Sequence, residues 1–517
     1  MNHLMRLARH CSLSALLLTA AQLVAAPQSK LATLGPDGRL HYTAYTGQGD
    51  TLPDFSHCGY GGGGVPLPVA PVRITLEPQP GEADDAARIQ QAIDQVGALP
   101  PGADGLRGAV LLKRGTYRCG TTLHLRVSGV VLRGEGEEQT QLIATYAKAA
   151  PLVRVGGREG PQARGKTVEV SDAYVPVGAN TLTVEDAGNF AAGQAVFVIR
   201  RGNAAWIAAT GMDQIPPRPE APTSTVQWKP FDLKFDRVIT KVEGNRLTFD
   251  APIGCALDRR WGGGAVQCYD DPERIQHCGV ESLRALSLYD QTRTAMQDNV
   301  LTEVDEEHAT WFVEFGAVKN AWARHLATEK FQHGPAVLRA AAKWITVEDC
   351  AGRAPVSLIT GGRRYTYNIQ GAQLVLVQRC YADEARHAFV FGARVAGPNV
   401  FLDCKSERNH ARSEPHERWS VAGLYDNVEG EIALQDRQWM GTGHGWSGAN
   451  YVAWNCRGTL IAQQPPTAQN FAIGFVGRRG KDAFPGRPAG WWESEGTPVL
   501  PRSLYEQQLH DRLSAAR

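Results

Sequence analysis

The sequence predicts an all-β chain wound as a right-handed parallel β-helix, with an N-terminal capping helix and an inserted small antiparallel β subdomain. Three observations predict it. Cys350, Cys380, Cys404 and Cys456 each close a similar four-residue phrase, as in Val347-Glu-Asp-Cys350 and Val377-Gln-Arg-Cys380. Their intervals of 30, 24 and 52 residues fit one and then two copies of a structural unit, on the order of 25 residues long, which is a solenoid period. Short runs of Val, Ile, Leu and Phe lie within each unit, among them Leu374–Val377, Phe389–Phe391 and Val400–Leu402, punctuated by Gly, Asn and Asp. Finally, Asp84–Val96 opens with acidic residues and repeats Ile89, Ala92, Ile93 and Val96 on one helical face, as a helix covering an exposed end coil must.

Taken in order, residues 1–26 read as a secretory signal, with Arg6, Arg9 and His10, an apolar run through Leu18, and Val24-Ala25-Ala26 before cleavage. This places the mature chain in the secreted or periplasmic space with no membrane span left. Residues 27–164 hold the capping helix and first coils, with strands at Ala109–Leu112, Gly115–Tyr117, Leu123–Leu125 and Val130–Gly134. Residues 165–255 break the rhythm: Asn180–Val184, Gln194–Ile199, Val238–Thr240 and Arg246–Phe249 read as antiparallel strands, with a hairpin turn at Val242–Arg246. This insert is a cleft wall, a sugar-binding element or a purely structural addition. Residues 256–475 are the main β-helix, and 476–517 a C-terminal packing tail with a short helix started by Ser503.

Nine cysteines remain after the signal, an odd number for an oxidising compartment. The four phrase-closing ones are expected to stack as buried thiols. Cys58, Cys119, Cys255, Cys268 and Cys278 are the disulfide candidates, with pairing open. No CxxC clustering points to a metal.

The chain has 54 Lys plus Arg against 53 Asp plus Glu, a formal charge of +1. No global field draws it to nucleic acid or a membrane surface, so an anionic ligand must be met by a local basic patch. The segment from 383 to 446 is where His, Arg, Trp and carboxylates concentrate. Pro415–Trp419 is a rigid loop presenting His416, the guanidinium of Arg418 and the ring of Trp419; the plainer alternative is that His416 and Arg418 pair with Glu414 or Glu417. Gly441–Trp446 allows close backbone approach around His444, next to Trp446. His387 and His410, 23 residues apart, are candidate neighbours on successive coils, which lie about 4.8 Å apart. Arg386, Lys405, Arg363 and Arg364, the last two followed by Tyr365, complete the basic candidates. His325, His333 and Lys330 are secondary ones.

The capping helix with its Asp-Asp start, the Gly115-Thr-Tyr117 turn, the Val130–Gly134 strand and the His/Arg-rich segment resemble the pectate-lyase-like superfamily, over about 60–135 and 279–460. The resemblance implies a parallel β-helix active on a polysaccharide, and it spans lyases, hydrolases, epimerases and tailspikes. The first expectation is a lyase that cuts a uronate-containing acidic polysaccharide by β-elimination. Such a reaction needs a cation at the carboxylate, a base at C5 and an acid at the departing oxygen. Arg418 and Arg386 are assigned to the carboxylate, His416 or His387 to the base, and His444 or Tyr425 to the acid; Lys405, His410, Trp419, Trp446, Arg363 and Arg364 are assigned to binding. The alternatives are a glycoside hydrolase built on two of Asp383, Glu384, Glu407, Glu414 and Asp426, and a non-catalytic carbohydrate-binding β-helix. No cofactor is firmly implied; calcium is the ion the resemblance leaves room for, although no Asp-rich cluster demands it. The oligomeric state is undecided.

Overall fold

The computed structural model describes residues 26–515 except 82 and 298; the expected signal at 1–26 lies outside the described residues but for its last one. The architecture is a parallel β-helix of three strand columns. The first begins at Val72–Leu76, passes through Gly108–Leu112 and Val130–Gly134, and continues coil by coil to Trp491–Glu493, every pairing parallel. The second runs from Gly115–Cys119 to Val476–Arg479. The third has seven strands, Leu123–Leu125, Val153–Val155, Val313–Phe315, Ala336–Arg339, Tyr365–Gln370, His387–Phe391 and Glu414–Pro415.

The repeat read from the cysteines has a backbone cause. The residue before each one, Asp349, Arg379, Asp403 and Asn455, adopts a left-handed conformation with φ of 50 to 53°. That conformation makes the sharp bend from first to second column, and Asn and Asp tolerate it best after glycine. The residue after the bend turns inward, so Cys350, Cys380, Cys404 and Cys456 are buried in one apolar core with Val428 filling the intervening coil. Burial pushes the Cys350 and Cys404 thiols up.

The five disulfide candidates are corrected: all nine described cysteines are free. Cys119 and Cys278 pack as small apolar groups inside the helix, whereas Cys58 belongs to the cluster of the chain ends and Cys255 to the insert. Packing has distributed them among separate cores.

The capping helix spans Ala86–Gly97 and buries Ile89, Ala92, Ile93 and Val96. The insert's antiparallel sheet extends from Gln162–Ala163 to Gly264–Asp270, so its end, expected at 255, moves past 264. The reason is that Gly264–Asp270 pairs directly with Ala195–Arg200 as a neighbouring strand of the same sheet. The insert's core includes Trp206, Phe235 and Val198, and takes in Trp419, Val421, Trp446 and Ala449 from the coils. It is packed onto the helix flank.

The expected tail also divides differently, since Val476–Arg479 and Trp491–Glu493 are still rungs of the columns. The terminal helix is Leu504–Ala515; the Ser503 hydroxyl accepts from Glu506 N at 3.0 Å, and Tyr505 donates to Cys58 O at 2.8 Å. Among the described residues no helix is long and apolar enough to cross a membrane.

A basic cleft between the third column and the insert

A cavity of about 1040 Å³ is bounded by the third column on one side and the insert on the other. Trp311, Arg339, Tyr365 and Asn368 come from the column, and Arg386 and Arg394 from the turns flanking its strand His387–Phe391. Phe197, Arg218, Asp232 and Lys234 come from the insert, and Arg437, Trp439 and His444 from a loop of a later coil. Six cations and two carboxylates, Asp232 and Glu417, line it. Several cations are internally matched: Arg218 pairs with Glu220, Arg339 with Glu314 and Arg437 with Glu414. Lys234, Arg386 and Arg394 have no carboxylate partner among the described residues, and Arg394 lies over the Phe231 ring at 4.1 Å. This is the local basic patch that a neutral chain needs to hold an anion.

Coil stacking assembles the polar floor. Tyr365 is in register with His387, His416 N donates to Phe391 O at 2.8 Å, and Arg418 N donates to His444 O at 2.9 Å. Residues far apart in sequence therefore meet. Glu414 Oε1 lies 2.6 Å from Arg437 Nη1 and 3.1 Å from His416 Nδ1, while His416 Nε2 is 3.0 Å from the Tyr365 hydroxyl. Arg437 Nη1 is also 2.7 Å from His416 Nδ1. With the imidazole proton on Nδ1, toward the Glu414 carboxylate, the ring leaves Nε2 as its acceptor. Nε2 then accepts from Tyr365 O–H. The result is a chain of phenol, imidazole and carboxylate that reaches the cleft at Tyr365.

Burial pushes His416 well below the ordinary histidine value, and the charge of Arg437 adds to that; His387 is driven down in the same way, against the pull of Glu414. Both are neutral near pH 7. Burial raises the Tyr365 phenol to about 12. At Glu417 burial works to raise the carboxyl, but the His444 hydrogen bond and the charges of His444 and Arg418 outweigh it and hold the group below the usual carboxylate range. Burial also lowers His444, whose ring is 4.9 Å from that of His416.

His416, His444 and Arg386 of the expected site line this cleft. His387 is buried beside it, its ring 4.9 Å from that of His416, with its Nδ1 against Arg412 O. His410 is not its coil neighbour in the site: Val390 is opposite Glu414, and that register brings Glu414 and His416 to His387 while His410 stays exposed. Tyr425 is corrected as an acid, since it is fully buried in the helix core and donates to Phe389 O at 3.1 Å. Trp419 and Trp446 are corrected as sugar platforms, each 2% exposed and packed into the insert's core. Arg418 is bound to Glu417 and Thr442, the plainer alternative for that loop. Lys405 pairs with Glu407 on the second column, Arg363 with Glu306, and buried Arg364 donates to Ser357 O; none lines the cleft.

Sequence reading missed Trp311, Lys234, Arg394 and Arg437, and noted Tyr365 only as a phenol beside two cations. Arg437 lies inside the His/Arg-rich segment, so composition could have raised it. Trp311 carried no local signal. It stacks on His333 with centroids 3.7 Å apart, and burial pushes that histidine down to about 3, which makes it a neutral backing for the indole. The Gly441–Trp446 expectation has a steric counterpart: at Gly441 (φ 60°) a Cβ would meet the His444 ring at 2.1 Å.

His387, Glu414 and His416 place their ligand atoms within 4.8 Å of one another. The Arg437 guanidinium at Glu414 already supplies the positive charge of that group, and two imidazoles with one carboxylate are not the oxygen-rich set that calcium takes.

No family model and no curated protein matches this sequence. Solved structures do. The Gp54 tailspike of Acinetobacter baumannii bacteriophage AP22, in complex with A. baumannii capsular saccharide, aligns with a TM-score of 0.43 and 11% identity over 78% of this chain and 55% of that one. The tailspike gp49 from Pseudomonas phage LKA1 gives 0.43 and 13% over 76% and 57%. The tailspike of E. coli bacteriophage HK620, in complex with a pentasaccharide, gives 0.38 and 11% over 82% and 56%. The chain thus spans little more than half the length of these proteins, and its parallel β-helix is established by its own strand pairing.

Proposed function

We propose that the protein is a polysaccharide lyase of the pectate-lyase-like superfamily, acting outside the cytoplasm on a uronate-containing chain. The observation that carries this reading is the convergence of Lys234, Arg386 and Arg394, all without carboxylate partners, on a cleft whose floor presents Tyr365 hydrogen-bonded to His416. A uronate carboxylate held by Arg386 and Arg394 has its charge offset, which acidifies the C5 proton. Tyr365 takes that proton as its own passes to His416 Nε2, and Glu414 stabilises the imidazolium by accepting from Nδ1, in the manner of a carboxylate behind a catalytic histidine. The proton then returns through Tyr365 to the departing oxygen. The C4–O bond breaks, a C4–C5 double bond forms, and no proton is gained or lost overall.

Resting His416 is a weak base, and proton transfer from Tyr365 needs its basicity raised by the bound substrate. After burial, the neighbouring cations hold it down, and a bound uronate offsets part of their charge. Hydrolysis would instead need two carboxyl groups with one held protonated; of the two that line the cleft, Glu417 is held ionised by its neighbours.

The test is ultraviolet absorbance of an unsaturated uronate product, read with a panel of acidic polysaccharides beside a reducing-end assay. Absorbance that rises with the reducing ends, and is lost in Tyr365→Phe, is the expected result. New reducing ends without it would replace elimination by hydrolysis.

A further inference from the structure

A second pocket, about 380 Å³, lies between the insert, the N-terminal segment and the late coils. It shares no lining residue with the cleft. The turn Glu417–Trp419 separates them, with Glu417 lining one and Trp419 the other. Its wall carries Tyr174, Trp261 and Trp491, all partly exposed, together with two carboxylates and two arginines.

Three of those four groups already have hydrogen-bond partners. Asp258 accepts from Arg260 at 3.0 and 2.6 Å, and Asp50 accepts from the Tyr174 hydroxyl at 2.8 Å and from Val177 N at 2.8 Å. Arg200 is the exception. It is 5% exposed, its Nη1 is buried with no hydrogen-bond partner, and among the described residues its guanidinium pairs with no carboxylate. It lies over the face of Trp206 at 3.8 Å, with Asp258 and Asp232 close enough to act on its charge without pairing with it. A buried cation without an anion is expensive in a folded protein. A guanidinium with an unpartnered nitrogen at the wall of an aromatic pocket is a receptor for a planar carboxylate attached to a ring.

We propose that this pocket is a second, non-catalytic saccharide site that takes an acidic sugar residue, with its carboxylate on Arg200 and its ring against Trp261 or Trp491. It rests on the lyase reading only for the acidic character of the polymer. Bound there, a uronate of the same chain would anchor the polymer beyond the turn that carries His416.

The test uses the full chain and sodium glucuronate, with glucose as the neutral counterpart, by crystal soaking and by titration of tryptophan fluorescence. The expected result is a glucuronate carboxylate within hydrogen-bond distance of Arg200 and no comparable binding of glucose. Arg200→Gln should abolish binding at this pocket. Trp261→Ala, at the partly exposed rim, should weaken it at least tenfold with an unchanged melting temperature, which covers the case in which the Arg200 variant does not fold. Glucuronate absent from the pocket, glucose bound equally well, or sulfate captured by Arg200 with no sugar over the indoles would each overturn the proposal. Tyr365→Phe should leave this binding unchanged, so loss of lyase activity and loss of the anchor are separable: glucuronate on Arg200 without any unsaturated product sinks the lyase reading alone.

Discussion

The insert meets the β-helix through two sets of charges that follow opposite rules. At the joint, Asp236 is buried and receives Lys343 at 2.8 Å, Arg274 at 2.9 Å and the Tyr269 hydroxyl at 2.6 Å. Burial would raise this carboxyl, but Lys343 and Arg274 outweigh it and hold the group well below the usual range. Beside it, fully buried Arg237 donates to Pro252 O and Gly397 O. In the cleft, two residues before Asp236, Lys234 is exposed and, like Arg386 and Arg394, pairs with no carboxylate among the described residues. One strand thus carries closed charges at its buried positions and an open one at the exposed end that lines the cleft. Closed pairs fix where the wall stands; open ones are what the wall offers to a ligand.

The strongest way to break this contrast is Tyr365→Phe, which removes one oxygen at the cleft and touches nothing at the joint. Turnover should fall by about 10²–10⁴-fold with an unchanged melting temperature; near-normal turnover would remove Tyr365 from the proton path. Lys343→Met probes the other side. Stability in urea should drop by about 3 kcal/mol, since one partner of a buried charge is removed, whereas the turnover of the protein that remains folded should hold. An unchanged midpoint would mean that Arg274 and Tyr269 suffice for Asp236.

Acid separates the two regions by sign. His333 is pushed down to about 3 in the fold against 6.5 outside it, so below pH 6.5 the unfolded chain binds the proton first and stability falls with pH. At pH 4.5 this histidine alone should cost about 3 kcal/mol, with His387 and His416 adding in the same direction. Asp236, whose folded value is depressed, contributes stability above the ordinary carboxylate value of 3.8 and loses it only below that. Acid should therefore destabilise the cleft side first, visible as an earlier change in hydrogen exchange around 333–416 than around 234–239. The smallest effect is expected for exposed Arg394→Ala: KM raised about tenfold, equal to about 1.4 kcal/mol, with stability unchanged and the KM difference shrinking at high salt.

Local rules made much of the fold legible. The capping helix shows as apolar residues at helical spacing, and the coil as a recurring bend whose left-handed residue precedes an inward side chain, which is why the cysteines kept time. The insert's strands were visible, but its last strand was not assigned to it, because which sheet takes Gly264–Asp270 is decided by pairing and not by alternation. The same limit applies to the site. His416, His444 and Arg386 lay in a composition-rich segment and reach the cleft. Trp419 and Tyr425, from the same segment, turn into cores, because the direction of a residue on a β-helix depends on where each bend falls.

By itself, then, the sequence determined the repeating coil, the cap, the presence of an insert and the region where polar chemistry concentrates, since each is written in spacing of a few residues or of one coil. Tertiary structure alone decided that Glu414 and Arg437 flank His416, that Tyr365 is the phenol of the cleft, that Lys234 and Arg394 line the same cavity, and that Arg200 pairs with no carboxylate among the described residues. Each of those depends on which coil stacks on which and on where the insert docks. Contacts between residues separated by tens to hundreds of positions leave no local pattern to read.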